Sequence, residues 1–244
     1  MANAALAVLE SALRARKLDR TLTSALPSLE RTDAAALAPT GLPALDASLR
    51  GGLPRGHLSE IAGPASSGRT TLLLTLVAAA TRRGEIAAVI DTFDRLDVAS
   101  AIAAGTDLER LLWVRGDTVT GTALVDRAID RALKAVTLVL QAGGFGVVAL
   151  DLADVPLVAL TRLPFTTWMR IQRIVEGSET ACVLVAPQPT ARSAGGVTLA
   201  LDARAAWAGD SDRSRRLDGL EVETRIVSPR RKVEGTVRVR CTAR

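Results

Sequence analysis

The chain has 244 residues, of which 48% are hydrophobic, with a formal net charge of +5 and two cysteines. This composition excludes a disordered chain and suits a globular protein with one sizeable core and at most a small appendage. The longest apolar stretch, residues 132–150, is interrupted by Lys134, Gln141 and Gly143-Gly144, so no membrane span is predicted. With no secretory signal at the N-terminus and too few cysteines for a disulfide framework, we expect a cytoplasmic protein with buried thiols.

Residues 1–39 are predicted to form a leading helix and a linker, ahead of a single core over residues 40–244. Ala4 to Leu18 carries apolar side chains spaced for one face of a helix. Such a helix can pack on its own core or dock on a neighbouring subunit, and the sequence does not distinguish between these two arrangements. Residues 21–39 mix proline, alanine and polar residues with little periodicity, which is typical of a linker.

A glycine-rich loop, Gly63 to Thr71, lies between an apolar strand and an apolar helix. Two glycines five residues apart let successive backbone N–H groups point at one phosphate, and the helix N-terminus adds partial positive charge. Arg69 stands where a P-loop has lysine, and its longer, forked side chain is not equivalent, which weakens the prediction of catalysis. Thr70 stands where a hydroxyl would hold Mg²⁺. The candidate nucleotide-binding residues of this loop are Gly63, Ser66, Ser67, Gly68, Arg69, Thr70 and Thr71.

Two further apolar runs, Ile86 to Asp91 and Gly146 to Asp151, each end in a carboxylate. Both predict buried parallel strands, whose carboxyl ends meet at the edge where open α/β sheets bind ligands. Asp151 follows the glycine loop in the order of a Walker B strand, whose carboxylate holds Mg²⁺ in nucleotide-binding proteins. A buried strand with a polar end is the alternative.

The rest of the chain alternates helices with strands and then continues with strands alone. This order predicts an α/β fold with a mostly parallel sheet flanked by helices and antiparallel C-terminal strands. A short helix between turns is predicted over residues 40–56. Longer helices are predicted over residues 70–83, 96–104, 118–142 and 167–176, and strands over residues 58–62, 86–91, 111–114, 146–151, 181–186, 199–208, 220–228 and 233–242.

The positive charge is concentrated at the C-terminal end. From Arg213 to Arg244, ten Lys or Arg residues stand against four Asp or Glu, a net charge of +6. The cluster Arg230-Arg231-Lys232 is therefore predicted to contact DNA or an acidic protein. A solvated face is the alternative, because aromatic residues make up only 2% of the chain and offer bases no stacking platform.

Several segments together resemble the RecA core. They are GGLPRGHLSEIAGPASSGRTTL, IDTFDRLD, VVALD, AGGVTLAL and ETRIVSPRRK, and the resemblance covers residues 40–233 in the family's order. It implies a RecA-like P-loop fold with ATP and Mg²⁺ as cofactors. It also implies that Gln188 senses the γ-phosphate, and that Arg230 and Lys232 reach across a filament interface to the neighbour's ATP.

The departures from RecA decide the expected function. Phe93 lies where the family has the glutamate that activates water, with Asp94 one residue further on, and both DNA-loop segments are shortened. We therefore expect no catalytic residues. This set resembles the ImuA family, the RecA-like component of the bacterial SOS mutagenesis cassette. The resemblance implies an accessory role in DNA-damage-induced translesion synthesis, with RecA or an ImuB-type polymerase homologue as partner.

Two other functions stay open on the residues. Thr70, Asp151, Gln188 and Lys232 are compatible with an ATP-dependent recombination mediator that binds single-stranded DNA and has weak DNA-dependent ATPase activity. A domain that binds nucleotide only for its own stability is the third hypothesis.

Overall fold

The computed structural model describes residues 34–117, 122–191, 195–228 and 233–242. The predicted helix Ala4 to Leu18, most of the predicted linker and the basic cluster Arg230-Arg231-Lys232 lie outside the described residues.

Six helices and ten strands make up the described fold, with short 3-10 helices at Ala34–Ala36 and Leu108–Arg110. The helices are α1 (Pro43–Ser48), α2 (Arg69–Arg82), α3 (Val98–Ala103), α4 (Thr122–Ala142), α5 (Leu157–Thr161) and α6 (Phe165–Val175). The strands are β1 (Leu37–Ala38), β2 (Leu53–Pro54), β3 (His57–Ala62), β4 (Ala87–Asp91), β5 (Leu111–Arg115), β6 (Val147–Asp151), β7 (Ala181–Ala186), β8 (Thr198–Ala208), β9 (Arg216–Ser228) and β10 (Val233–Thr242).

Eight strands form one sheet in the order β10-β9-β8-β3-β7-β6-β4-β5. The strands from β8 to β5 run parallel to their neighbours, whereas β9 and β10 pair antiparallel. The predicted fold class is therefore confirmed. Because the parallel strands begin at matched register, the carboxyl ends of β3, β4, β6 and β7 meet at one edge, next to the glycine loop.

Two apolar layers cover the two faces of the sheet. Alternate residues of a strand point to opposite faces, so Val147 packs with α1 and α2 whereas Val148 packs with α4 and α6. Helices on both faces explain why β4, β6 and β7 are almost entirely apolar, with no polar alternation, whereas β3 also buries Ser59 and Glu60. Cys182 in β7 is buried, and burial raises the pKa of its thiol to about 12.

Two features of the fold lie outside the predicted pattern. Leu37 and Ala38 are buried and pair with β2, so the core extends to the N-terminal side of residue 40, where its start was predicted. The five-residue helix α5 occupies a stretch to which no element was assigned. Two-residue strands and one-turn helices carry too little periodicity to be recognised from residue spacing.

Among the described residues, no helix has both the length and the apolar character needed to cross a membrane.

A candidate phosphate site at the carboxyl edge of the sheet

The loop between β3 and α2 has the backbone geometry of an anion cradle. The Gly63 N–H donates to the Ala186 carbonyl at 3.2 Å, which ties the loop to β7. Ser66 and Gly68 have left-handed φ angles of 62° and 86°, which turn the backbone into the helix. A Cβ at Gly63 would collide with the Ser67 hydroxyl and lie 2.7 Å from the Leu201 carbonyl oxygen, so the loop requires glycine there.

The start of α2 leaves donors available for a phosphate. Within the described chain, no backbone acceptor outside the helix takes the N–H groups of Arg69, Thr70 or Thr71, and no side chain caps the helix. The Ser67 hydroxyl is buried and has no hydrogen-bond partner among the described residues. Unpaired donors at a helix N-terminus and an orphaned hydroxyl fit a phosphate group. The backbone of this loop is therefore compatible with the predicted nucleotide.

The Arg69 guanidinium is used inside the protein. Arg69 is only 7% exposed. Its Nη1 donates to the Gly63 carbonyl at 2.6 Å, and its Nη2 donates to Asp154 Oδ1 at 3.1 Å. The two contacts tie the first glycine of the loop to the segment after β6. The cation therefore stabilises the loop itself and is already paired with a carboxylate.

Asp91 and Asp151 are register partners on β4 and β6, so two carboxylates lie side by side at this edge. Asp91 is buried, and its oxygens accept from Arg95 N at 2.9 Å, Leu96 N at 2.8 Å and Trp113 Nε1 at 3.1 Å. These three donors occupy the Asp91 carboxylate, which therefore holds the turn after β4. Asp91 thus lies at the predicted edge of the sheet, but its carboxylate is engaged by protein donors.

Asp151 is less fully satisfied. Its Oδ1 accepts from Ala153 N at 2.8 Å. Burial raises the pKa of Asp151 to about 6, and the nearby charges of Asp91 and Asp154 add to this, against the Ala153 N–H and Arg69. The residues described contain no group of three or more His, Cys, Asp or Glu arranged as metal ligands. Binding of Mg²⁺ by Thr70 and Asp151 stays a prediction.

The position expected for a catalytic glutamate carries no available base. Phe93 is half-buried and packs against the core on the α4 side of the sheet. The neighbouring Asp94 forms a two-point pair with Arg115, at 2.8 Å and 2.7 Å. The hydrogen bond from Arg115 lowers the pKa of Asp94, and Arg115 also stacks over Trp113, 4.6 Å from its ring centroid. Asp94 therefore belongs to an ion pair on the β5 side of this edge.

Gln188 lies two residues beyond β7 and its side chain is exposed. It borders a groove with residues of α5 and α6, and none of its described hydrogen bonds joins it to the glycine loop. The structure brings Arg69, Asp91, Asp151 and Asp154 together at the carboxyl edge. Sensing of a γ-phosphate by Gln188 stays a prediction.

Glu60, in the middle of β3, is a site residue that the sequence reasoning missed. It is fully buried, and its Oε1 accepts from Thr190 N at 2.6 Å and Ala191 N at 3.1 Å. Burial raises the pKa of Glu60 against these two donors. Glu60 thus joins the strand of the glycine loop to the segment that follows Gln188. A glutamate inside the apolar run HLSEIA was the only signal in the sequence.

We expect Asp154→Ala to lower the free energy of unfolding by on the order of 1 kcal/mol, because it leaves a buried guanidinium with only a carbonyl acceptor. Thermal unfolding of the metal-free protein measures this. Asp126→Ala is the matched control, since the pair of Asp126 with Arg162 is 3.4 Å long and exposed on both sides. Its expected effect is about 0–0.5 kcal/mol. Equal effects of the two substitutions would contradict a structural role for the Arg69–Asp154 pair.

The amino-acid sequence is similar to that of a known protein family and to several individual proteins. The sequence profile of the RecA N-terminal domain matches residues 15–155. Protein RecA of Thermus thermophilus is 41% identical over 114 residues, which are 46% of this chain and 31% of that protein. Protein RecA of Symbiobacterium thermophilum is 43% identical over 99 residues, 38% of this chain and 28% of that protein. Protein RecA of Clavibacter michiganensis is 41% identical over 127 residues, 52% and 32% of the two chains. The chain thus spans about a third of the length of the curated relatives it matches.

Proposed function

Since this chain belongs to the RecA N-terminal domain family, we propose that it is a RecA-like accessory protein of DNA repair that acts by binding partners and not by hydrolysing ATP. The observation that carries this proposal is the engagement of the Arg69 guanidinium by Gly63 and Asp154.

Phosphoryl transfer depends on positioning and on charge stabilisation of the transferring group. A P-loop lysine supplies a mobile cation for that purpose, whereas Arg69 is buried and paired with a carboxylate. A base must also orient the attacking water, but Phe93 has no acceptor and Asp94 is paired with Arg115. The two side-chain functions that would accelerate hydrolysis are therefore both lost.

Nucleotide binding does not require these two functions. The N–H groups of residues 69–71 and the Ser67 hydroxyl would hold phosphate oxygens, while Thr70 and Asp151 would hold Mg²⁺, which neutralises phosphate charge when bound. A ligand that binds only the folded state stabilises it by mass action. In our proposal, ATP with Mg²⁺ is a structural ligand of this chain.

The proposed partner is RecA, through the surfaces that RecA protomers use to stack head to tail. A head-to-tail contact propagates unless one face is altered. Here the nucleotide face has lost its chemistry, whereas Arg230 and Lys232 match the residues that reach the neighbour's ATP. We propose that the chain adds to a RecA filament end and limits its growth. The similarity to ImuA extends this proposal to SOS-induced translesion synthesis in the cytoplasm, with an ImuB-type polymerase homologue as a further partner.

Mixing the purified protein with RecA filaments tests the proposal. We expect direct binding and inhibition of DNA strand exchange at substoichiometric amounts, because each filament end needs one cap. The double substitution Arg230→Glu with Lys232→Glu should abolish both effects. The control Arg127→Glu with Lys134→Glu makes the same charge change at an exposed arginine and an exposed lysine of α4 and should leave both effects intact. Unchanged strand exchange at an excess of protein would rule out the cap.

A second candidate function is an ATP-dependent recombination mediator that binds single-stranded DNA through the basic C-terminal region. The intact backbone cradle and the position of Asp151 favour it. ATP turnover that rises with single-stranded DNA would distinguish it from the accessory protein.

A further inference from the structure

Helix α5 and the first two turns of α6 carry large apolar side chains that the fold leaves in solvent. Leu157, Val158, Phe165 and Met169 are 44%, 65%, 46% and 45% exposed. Phe165 and Met169 are four residues apart, so they lie next to each other on the outer face of α6. Single exposed apolar residues are ordinary, but several on adjoining elements mark a binding surface. We call this the α5–α6 surface.

A groove runs beside Phe165. One wall is the end of α5 and the start of α6, and the other is the segment Gln188-Pro189-Thr190 after β7. Phe165 belongs both to the groove and to the exposed apolar set, so the two are continuous. Trp168 lines the groove while only 2% exposed, which gives it a firm apolar base. Glu60 holds the opposite wall in place through Thr190 N.

Arginines border the α5–α6 surface. Arg162, Arg170 and Arg173 are exposed. Within the described residues, neither Arg170 nor Arg173 forms an ion pair, and Arg162 has only the exposed 3.4 Å pair with Asp126. On α6, Arg173 follows Met169 by one turn, so cations directly adjoin the apolar stripe. Arg170 and Arg173 therefore leave two positive charges on the rim that have no ion-pair partner in the described part of the chain.

We propose that the α5–α6 surface docks an acidic amphipathic helix of a partner protein. The apolar side chains fit the apolar face of such a helix, and the three arginines fit carboxylates along its edges. This mixed apolar and charged surface suits a protein partner better than nucleic acid, because protein surfaces that bind nucleic acid are mostly polar and positively charged. The proposal rests on the proposed function in that it supplies a partner site, but it uses residues distinct from the glycine loop and from Arg230 and Lys232.

The probe is a synthetic, fluorescein-labelled helix of about 18 residues with leucine at positions i, i+3, i+4 and i+7 and glutamate on both flanks. Fluorescence anisotropy with the full chain is expected to give a Kd of about 1–100 µM. Phe165→Ser with Met169→Ser should weaken binding at least about tenfold. Leu138→Ser is the matched control, because Leu138 is 67% exposed on α4 and lies outside the surface.

Charge reversal provides the sharper test. Arg170→Glu with Arg173→Glu should weaken the glutamate probe at least about tenfold and strengthen a matched lysine probe by a similar factor. Lys134→Glu, at an exposed position on α4 one turn before Leu138, should change neither probe's affinity. Circular dichroism and thermal unfolding verify that each variant is folded.

Three results would overturn the proposal: no binding of the glutamate probe, equal binding of both probes to the wild type, or binding that survives all surface substitutions. Binding of a labelled single-stranded oligonucleotide that requires Arg170 and Arg173 but not Phe165 and Met169 would assign the surface to nucleic acid, and this result would also overturn the proposal. Capping of RecA filaments is measured with other residues. If the probe does not bind but RecA filaments are still capped, only the proposal for the α5–α6 surface is wrong. If the probe binds but filaments are not capped, only the proposed function is wrong.

Discussion

ATP turnover by the purified protein is expected to stay at the uncatalysed background, with and without single-stranded DNA. Removal of one preorganised electrostatic group from an active site typically costs about 10²–10³ in rate. At the two positions that would supply a P-loop cation and a catalytic base, the described side chains are already engaged: Arg69 is paired with Asp154, and Asp94, which follows Phe93, is paired with Arg115. Two such losses at one site are expected to bring an already slow hydrolysis below detection. Phosphate release measured beside a bacterial RecA as positive reference provides the test.

Thr70→Ala is the control for this expectation. It removes the hydroxyl predicted to hold Mg²⁺ while leaving the exposed start of α2 otherwise unchanged. Wild type and variant should give the same background rate. A rate near that of RecA that Thr70→Ala abolishes would show a working active site, and stimulation by DNA would favour the recombination mediator.

The second large effect is expected on stability. Asp151→Asn should raise the free energy of unfolding at neutral pH by about 1–3 kcal/mol. Burial and the neighbouring carboxylates raise the pKa of Asp151 from 3.8 to about 6, so the ionised form is disfavoured in the folded protein. Asparagine removes the charge and keeps an oxygen that can accept from Ala153 N. The full shift in pKa corresponds to about 3 kcal/mol at neutral pH, and the expected range extends below that value because Asp151 is only half-buried.

The pH dependence of the free energy of unfolding tests the sign of this effect. A carboxyl group whose pKa is higher in the folded state binds its proton more tightly there, so the wild type gains stability as pH falls from about 6 towards 3.8. Asp151→Asn should lose that gain, and the two stabilities should converge at low pH. Urea unfolding across this range in EDTA, without nucleotide, measures both curves. Asp126→Asn, an exposed carboxylate on α4, should reproduce the wild-type curve. A variant less stable than wild type at neutral pH would contradict the argument.

Sequence patterns located the elements well where they were long and apolar. The run Ala181 to Ala186 was predicted as a strand with its observed ends, and the glycine loop was placed between β3 and α2. The pattern failed for α5 and for the β1–β2 pair, because elements of five and two residues are too short to show a repeating pattern. The roles of Asp91 and Glu60 were also out of reach. Asp91 depends on Trp113, 22 residues away, and Glu60 on Thr190, 130 residues away.

By itself, the sequence determined the α/β class, the strand–loop–helix order of the phosphate cradle and the absence of glutamate at residue 93, because these depend on local residue types and spacing. Only the tertiary structure decided what the side chains at the sheet edge do. The partner of Arg69 is Asp154, 85 residues further along the chain. Likewise, Trp168 and Met169 are adjacent large apolar residues of α6, and only the tertiary structure shows that Trp168 is buried while Met169 is exposed on the α5–α6 surface. Such pairings follow from which strand ends the sheet order brings together, and residue spacing carries no record of that order.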